Sequence, residues 1–123
     1  MSIKVLVVED NQDYREPLSF FLLHQGFEVA TCADGREAID CAEDYQPNII
    51  PMDLNMPVLD GWQATRVIHG NEATAHIPIL AVSANCGDRG EGRDVIADGA
   101  VGCLQKPNDI TLLHDIILGY ASL

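Results

Sequence analysis

Five polar side chains in this sequence have types and positions suited to metal and electrophile chemistry. Glu9 and Asp10 are adjacent acids that follow one apolar run. Asp53 follows a second run, Ser83 a third and Lys106 a fourth. Carboxylates held close together raise one another's pKa unless a cation joins them. A hard divalent cation takes oxygen ligands, and Mg²⁺ suits one or two carboxylates with water and a further anionic oxygen. Lysine adds a flexible point charge, serine a hydroxyl donor, and an activated aspartate can itself be a nucleophile. Each feature alone has an ordinary explanation. An acidic pair at a strand end often only complements a helix N-terminus, and a lone Ser or Lys there is usually solvated. The set acquires meaning only if the fold gathers it.

The elements that would gather it are legible in the hydrophobic pattern. Residues 3–8 form a nearly continuous apolar run, as in a strand covered on both faces. Tyr14, Leu18, Phe21, Leu22 and Gln25 follow helical spacing over 13–25, and Gly26 stops that helix. Strand and helix signals then alternate: strand 28–32, helix 36–45 after an Asp34-Gly35 turn, strand 48–52, helix 61–69, and strand 78–82. A helix over 88–98, weakened at its start by Gly87, Gly90 and Gly92, leads to strand 100–105. The last helix, 108–120, is capped by Asn108 or Asp109 and buried through Ile110, Leu113, Ile116 and Ile117.

Five βα units in a row imply an α/β fold, a parallel sheet with helices on both faces. Right-handed crossovers leave few topologies, and a three-layer, doubly wound (βα)5 sheet ordered 2-1-3-4-5 fits the length. Such sheets bind ligands beyond the carboxyl ends of their strands, where the order reverses. Here that place lies between strands 1 and 3, where Glu9, Asp10 and Asp53 fall.

Composition narrows the function. The 123 residues fit one domain, expected to span 1–123, with 47% apolar residues for its core. The net charge of −12 opposes direct nucleic-acid contact and binding to an acidic membrane surface. No apolar run approaches the roughly 18 residues of a membrane span, and the start has no signal-peptide pattern; a cytoplasmic location is expected. Cys32, Cys41, Cys86 and Cys103 form no metal pattern and are expected to be reduced. Trp62 is expected to pack rather than bind, the four histidines to lie at the surface, and one of Phe20 and Phe21 to face the core.

Val7-Val8-Glu9-Asp10-Asn11, Met52-Asp53-Leu54-Asn55-Met56-Pro57 with Asp60-Gly61 after it, Ser83-Ala84 and Lys106-Pro107 resemble, in that order, the receiver domain of two-component response regulators. That is the CheY-like family of the flavodoxin-like fold, and the likeness covers essentially the whole chain. The resemblance, not the spacing, supplies the phosphoryl chemistry. It implies that Asp53 is the phosphoacceptor. Glu9, Asp10, Asp53 and the Asn55 backbone carbonyl would hold Mg²⁺, with Mn²⁺ as a substitute. Ser83 would hydrogen-bond a phosphoryl oxygen, and Lys106 would pair with Asp53 or the phosphoryl group. The Lys106–Pro107 bond would be cis. The donor would be a phosphohistidine on a sensor histidine kinase or a histidine phosphotransfer protein, and the output a downstream protein target. Asn55 and Asn85 lie where side chains influence hydrolysis in this family. No external substrate would be turned over; only self-phosphotransfer and slow self-dephosphorylation are implied.

Three departures bear on the readout. Cys103 stands where receivers commonly carry Tyr or Phe as a conformational reporter. The Ser83–Lys106 interval is one residue longer than usual, with a glycine-rich segment over Gly87–Gly92 that is expected to be mobile and to serve as an order–disorder switch. Pro51 interrupts strand 3 and is expected at a strand end or bulge. These departures leave one alternative, a degenerate receiver acting as a phosphorylation-independent interaction module.

Overall fold

The computed structural model describes residues 2–54, 56, 58–84, 95–106 and 110–121. The chain runs β1 (Lys4–Val8), α1 (Gln12–His24), β2 (Glu28–Cys32), α2 (Gly35–Tyr45), β3 (Ile50–Asp53), α3 (Gly61–Gly70), β4 (Ile79–Ser83), β5 (Gly102–Gln105) and a last helix, Ile110–Ala121. All strand pairs are parallel, in the order β2-β1-β3-β4-β5, as the alternating pattern predicts.

Side-chain alternation along β1 generates the three layers. Leu6 and Val8 point to one face, where they meet Ala38 and Ala42 of α2 and Ala64 and Ile68 of α3. Val5 and Val7 point to the other, against Leu18 and Leu22 of α1 and Leu113 and Ile117 of the last helix. Helices α1, α2 and α3 are each held at the start by a side chain that accepts an otherwise orphaned backbone N–H: Asn11 from Asp13, Asp34 from Glu37, Asp60 from Gln63. Gly26, at φ +93°, supplies the left-handed residue after α1. No described helix is long and apolar enough to cross a membrane.

Pro51 departs from expectation. It sits inside β3, in register with Leu80 of β4 and without a bulge. The β1–β3 ladder absorbs the missing donor instead: Val5 bridges Ile49 and Val8 pairs with Met52, with no pair between them. The cysteines also need correction. Cys32 and Cys41 are free, but Cys103 is disulfide-bonded. Pairing depends on how closely the fold brings two backbones together, which a count of cysteines does not reveal.

Trp62 packs against Leu54, Ala81, Val95 and Ala100 together with Cys103, and its buried indole Nε1 has no hydrogen-bond partner among the described residues. Phe20 is 65% exposed, while Phe21 is half-buried. His24, His69 and His76 are exposed; His114 is half-buried, against Phe21 and Phe27. Asn55, Asn85, the Gly87–Gly92 segment, the Lys106–Pro107 bond and the cap at Asn108 or Asp109 lie outside the described residues.

Candidate functional site

Parallel register brings the strand ends level. Val8 pairs with Met52, so Glu9 and Asp53 come next on adjacent strands. Asp53 pairs with Val82, one residue before Ser83, and Ser83 pairs with Gln105, one residue before Lys106. The Lys106 backbone N–H donates to the Ser83 carbonyl oxygen at 2.6 Å, which ties the β5 exit to the β4 end.

Glu9, Asp10 and Asp53 each present a carboxylate oxygen, and the three oxygens lie within 4.8 Å of one another. Glu9 and Asp53 are each only 4% exposed; Asp10 is exposed. The Lys106 ammonium bridges the two buried acids, with Nζ 2.7 Å from Glu9 Oε1 and 3.2 Å from Asp53 Oδ1. The expected partners are Asp53 or the phosphoryl group; Glu9 is a further one. The loop carrying the acids is anchored from α1. Arg15 Nη1 donates to the Glu9 carbonyl oxygen at 2.9 Å, and the Asn11 backbone N–H donates to Glu9 Oε2 at 3.2 Å. Ser83 is buried at the end of β4.

Burial, and then the nearby Glu9 carboxylate, push Asp53 up to about 7, and Asp10 adds to the rise; the Lys106 charge opposes it. For Lys106, burial disfavours the charge, but the Glu9 hydrogen bond and the Asp53 charge outweigh it, and the net shift is upward. Three clustered carboxylates thus have one ammonium among them, and it bridges only Glu9 and Asp53. Hard oxygen donors, excess negative charge and a buried acid with a raised pKa make a set that a divalent cation fits.

Two residues here escaped sequence reasoning. Tyr14, read as part of an apolar helix face, lies with its ring centroid 4.8 Å from Lys106 Nζ. The available signal was its place in the first turn after the acid pair. Gly61, expected only to open the helix over 61–69, is buried against the end of β3. A Cβ there would lie 2.7 Å from Leu54 Cα and closer still to the Asp53 carbonyl oxygen. Gly61→Ala is expected to push the Asp53 end of β3 out of place. A fall in Tm of about 8 °C, equivalent to about 2 kcal/mol for a chain of this size, with weaker Mg²⁺ binding by calorimetry, would register it; an unchanged protein would mean that the loop gives way freely.

The comparisons with known proteins agree with this geometry. The chain matches the response regulator receiver domain over residues 5–118. It is 36% identical over 98 residues to protein PilG of Pseudomonas aeruginosa, covering 78% of this chain and 73% of that one. It is 37% identical over 97 residues to the transcriptional regulatory protein PrrA of Mycobacterium tuberculosis, covering 79% of this chain but only 42% of that protein. Among solved structures, it resembles the receiver domain of sensor histidine kinase PA1611 from P. aeruginosa, which has a magnesium ion coordinated in its active-site cleft. The TM-score is 0.91, at 32% identity over the full length of both chains. The chemotaxis response regulator CheY4 of Vibrio cholerae superposes with a TM-score of 0.90 at 31% identity, covering 98% of this chain and 99% of that one. The chain belongs to the response regulator receiver domain family of two-component signalling.

Proposed function

We propose that Asp53 accepts a phosphoryl group from a phosphohistidine donor, on a sensor histidine kinase or a histidine phosphotransfer protein, and that its phosphorylation switches binding of a downstream protein target in the cytoplasm. The observation that carries this reading is the cluster itself: three carboxylate oxygens within 4.8 Å of one another, two of the acids bridged by a single ammonium.

In the transfer, an Asp53 carboxylate oxygen forms a bond to phosphorus and the phosphorus–nitrogen bond of the donor breaks, returning a neutral imidazole once a proton is taken up. Glu9, Asp10, Asp53 and the Asn55 carbonyl would hold Mg²⁺, or Mn²⁺ in its place. The ion supplies neutralisation of the phosphoryl oxygens' charge. Lys106 sits where it can follow the charge from Asp53 onto the transferred group, and Ser83, at the end of the adjacent strand, supplies a donor to one of its oxygens. Turnover is confined to the chain's own phosphoryl group, which water then removes slowly.

Incubation with a small phosphodonor and Mg²⁺, read by intact mass, tests the proposal. One added phosphoryl group is expected. No addition would overturn it in favour of the constitutive interaction module.

The raised Asp53 pKa gives a second, metal-dependent prediction. The folded value, about 7, lies above the ordinary 3.8. Between those values the folded state holds a proton that the unfolded state has released, so stability falls as pH rises through about 7. Mg²⁺ counters that loss only where Asp53 is ionised. It is expected to raise Tm clearly at about pH 8 and hardly at about pH 5.5. An equal Mg²⁺ effect at both pH values would contradict this assignment of the proton.

A further inference from the structure

Lys106 has a third neighbour that the reaction just described does not use. Its Nζ lies 4.8 Å from the centroid of the Tyr14 ring, while 2.7 Å and 3.2 Å separate it from Glu9 and Asp53. Tyr14 is half-buried in the first turn of α1. That turn is fixed on both sides: Asn11 caps it, accepting from the Asp13 backbone N–H, and Arg15, the next residue, donates to the Glu9 carbonyl oxygen. The ring is therefore tied to the loop that carries Glu9 and Asp10. It also helps line the small cavity that reaches Glu9 and Asp53.

The three partners of the ammonium differ in one respect. Glu9 and Asp53 attract it with the carboxylates that a divalent cation would claim. The ring attracts it with the quadrupole of its face, not with a carboxylate. When the acids are committed elsewhere, the aromatic face is the partner that stays. A lysine side chain released into solvent regains its rotamer freedom, and would have to be reordered for each transfer.

We infer that Tyr14 is a positioning residue for phosphoryl transfer, holding the Lys106 ammonium at the site through its ring face. The inference rests on the acceptor reading above, and no chemical step passes through Tyr14 itself. Its phenol hydroxyl is not required, so Tyr14→Phe retains the function and Tyr14→Leu does not.

The test uses the whole chain and two readouts. In metal-free wild-type protein, the Lys106 ε-methylene protons are expected to show a ring-current displacement that persists in Tyr14→Phe and vanishes in Tyr14→Leu. The initial rate of phosphoryl uptake from a small phosphodonor at saturating Mg²⁺ is expected to fall about fivefold in Tyr14→Leu and to stay within about twofold of wild type in Tyr14→Phe. Should Tyr14→Leu fail to fold, the displacement in wild type and its retention in Tyr14→Phe still decide the contact. Absence of the displacement in wild type overturns the inference. So does wild-type uptake matched by a folded Tyr14→Leu, and this leaves the acceptor reading intact. A wild-type chain that takes up no phosphoryl group overturns the acceptor reading, and this inference with it.

Discussion

Asp53→Asn is expected to abolish phosphoryl uptake completely while making the metal-free protein more stable. The first half follows from chemistry, because an amide cannot serve as the attacking carboxylate. The second follows from electrostatics. Asp53 is buried beside Glu9 and near Asp10, and its pKa, raised to about 7, records that its charged form is disfavoured in the fold. Asparagine has a similar shape without the charge, and Lys106 keeps its closer contact, to Glu9 at 2.7 Å. At about pH 8 the gain is expected to be about 1 kcal/mol, or about 4 °C in Tm. At about pH 5.5, between the unfolded and folded values, the gain should be about half as large, and it should vanish only below about 3.8, where the unfolded carboxyl is protonated too. Thermal unfolding of both proteins at the two pH values, without metal, checks it. A variant less stable than wild type at the higher pH would mean that the Asp53–Lys106 attraction outweighs the repulsion. On the proposed reading, the residue that would carry the chemistry is thus also one whose charge the fold disfavours, a trade common at functional sites.

Lys106→Met should do the reverse on one count and the same on the other. Methionine keeps the length of the side chain and removes its charge. Phosphoryl transfer loses a cation placed to neutralise developing negative charge, an effect on the order of 10²-fold in rate. The metal-free fold loses the one ammonium that joins Glu9 and Asp53. The Lys106 pKa is raised above its ordinary 10.5, so its stabilising contribution is present throughout the neutral range and disappears only when pH climbs past that raised value. Removing it should cost about 2 kcal/mol at about pH 8, somewhat below the loss for a fully buried pair because the lysine keeps some contact with water. Mg²⁺ should then restore more stability to this variant than to wild type, since an ion at the acids replaces the missing charge. Calorimetric unfolding with and without Mg²⁺, beside single-turnover phosphorylation, measures both effects. Equal rates in variant and wild type would remove Lys106 from the reaction.

Both variants test residues that sequence motifs single out, but their opposite effects on stability come from the tertiary arrangement. The sequence by itself determined the kinds and order of the elements, because a local repeat encodes which face of a segment is buried. Strand 28–32 is predicted to the residue, and α1, α2 and α3 are displaced by at most one position at either end. Five apolar strands alternating with helices also fixed the parallel order. The acids, the serine and the lysine stood out because they follow strands, and the motif order tied them to a known family.

What the sequence did not contain is distance. Lys106 and Glu9 lie near opposite ends of the chain, and only the packing of β5 beside β4 and of α1 across the sheet decides that the ammonium bridges Glu9 as well as Asp53. The Tyr14 ring beside that ammonium, the Gly61 backbone pressed on the acceptor strand and the in-register Pro51 have the same origin. Each depends on register and rotamer across elements distant in sequence, where side-chain periodicity carries no information and close packing makes the choice.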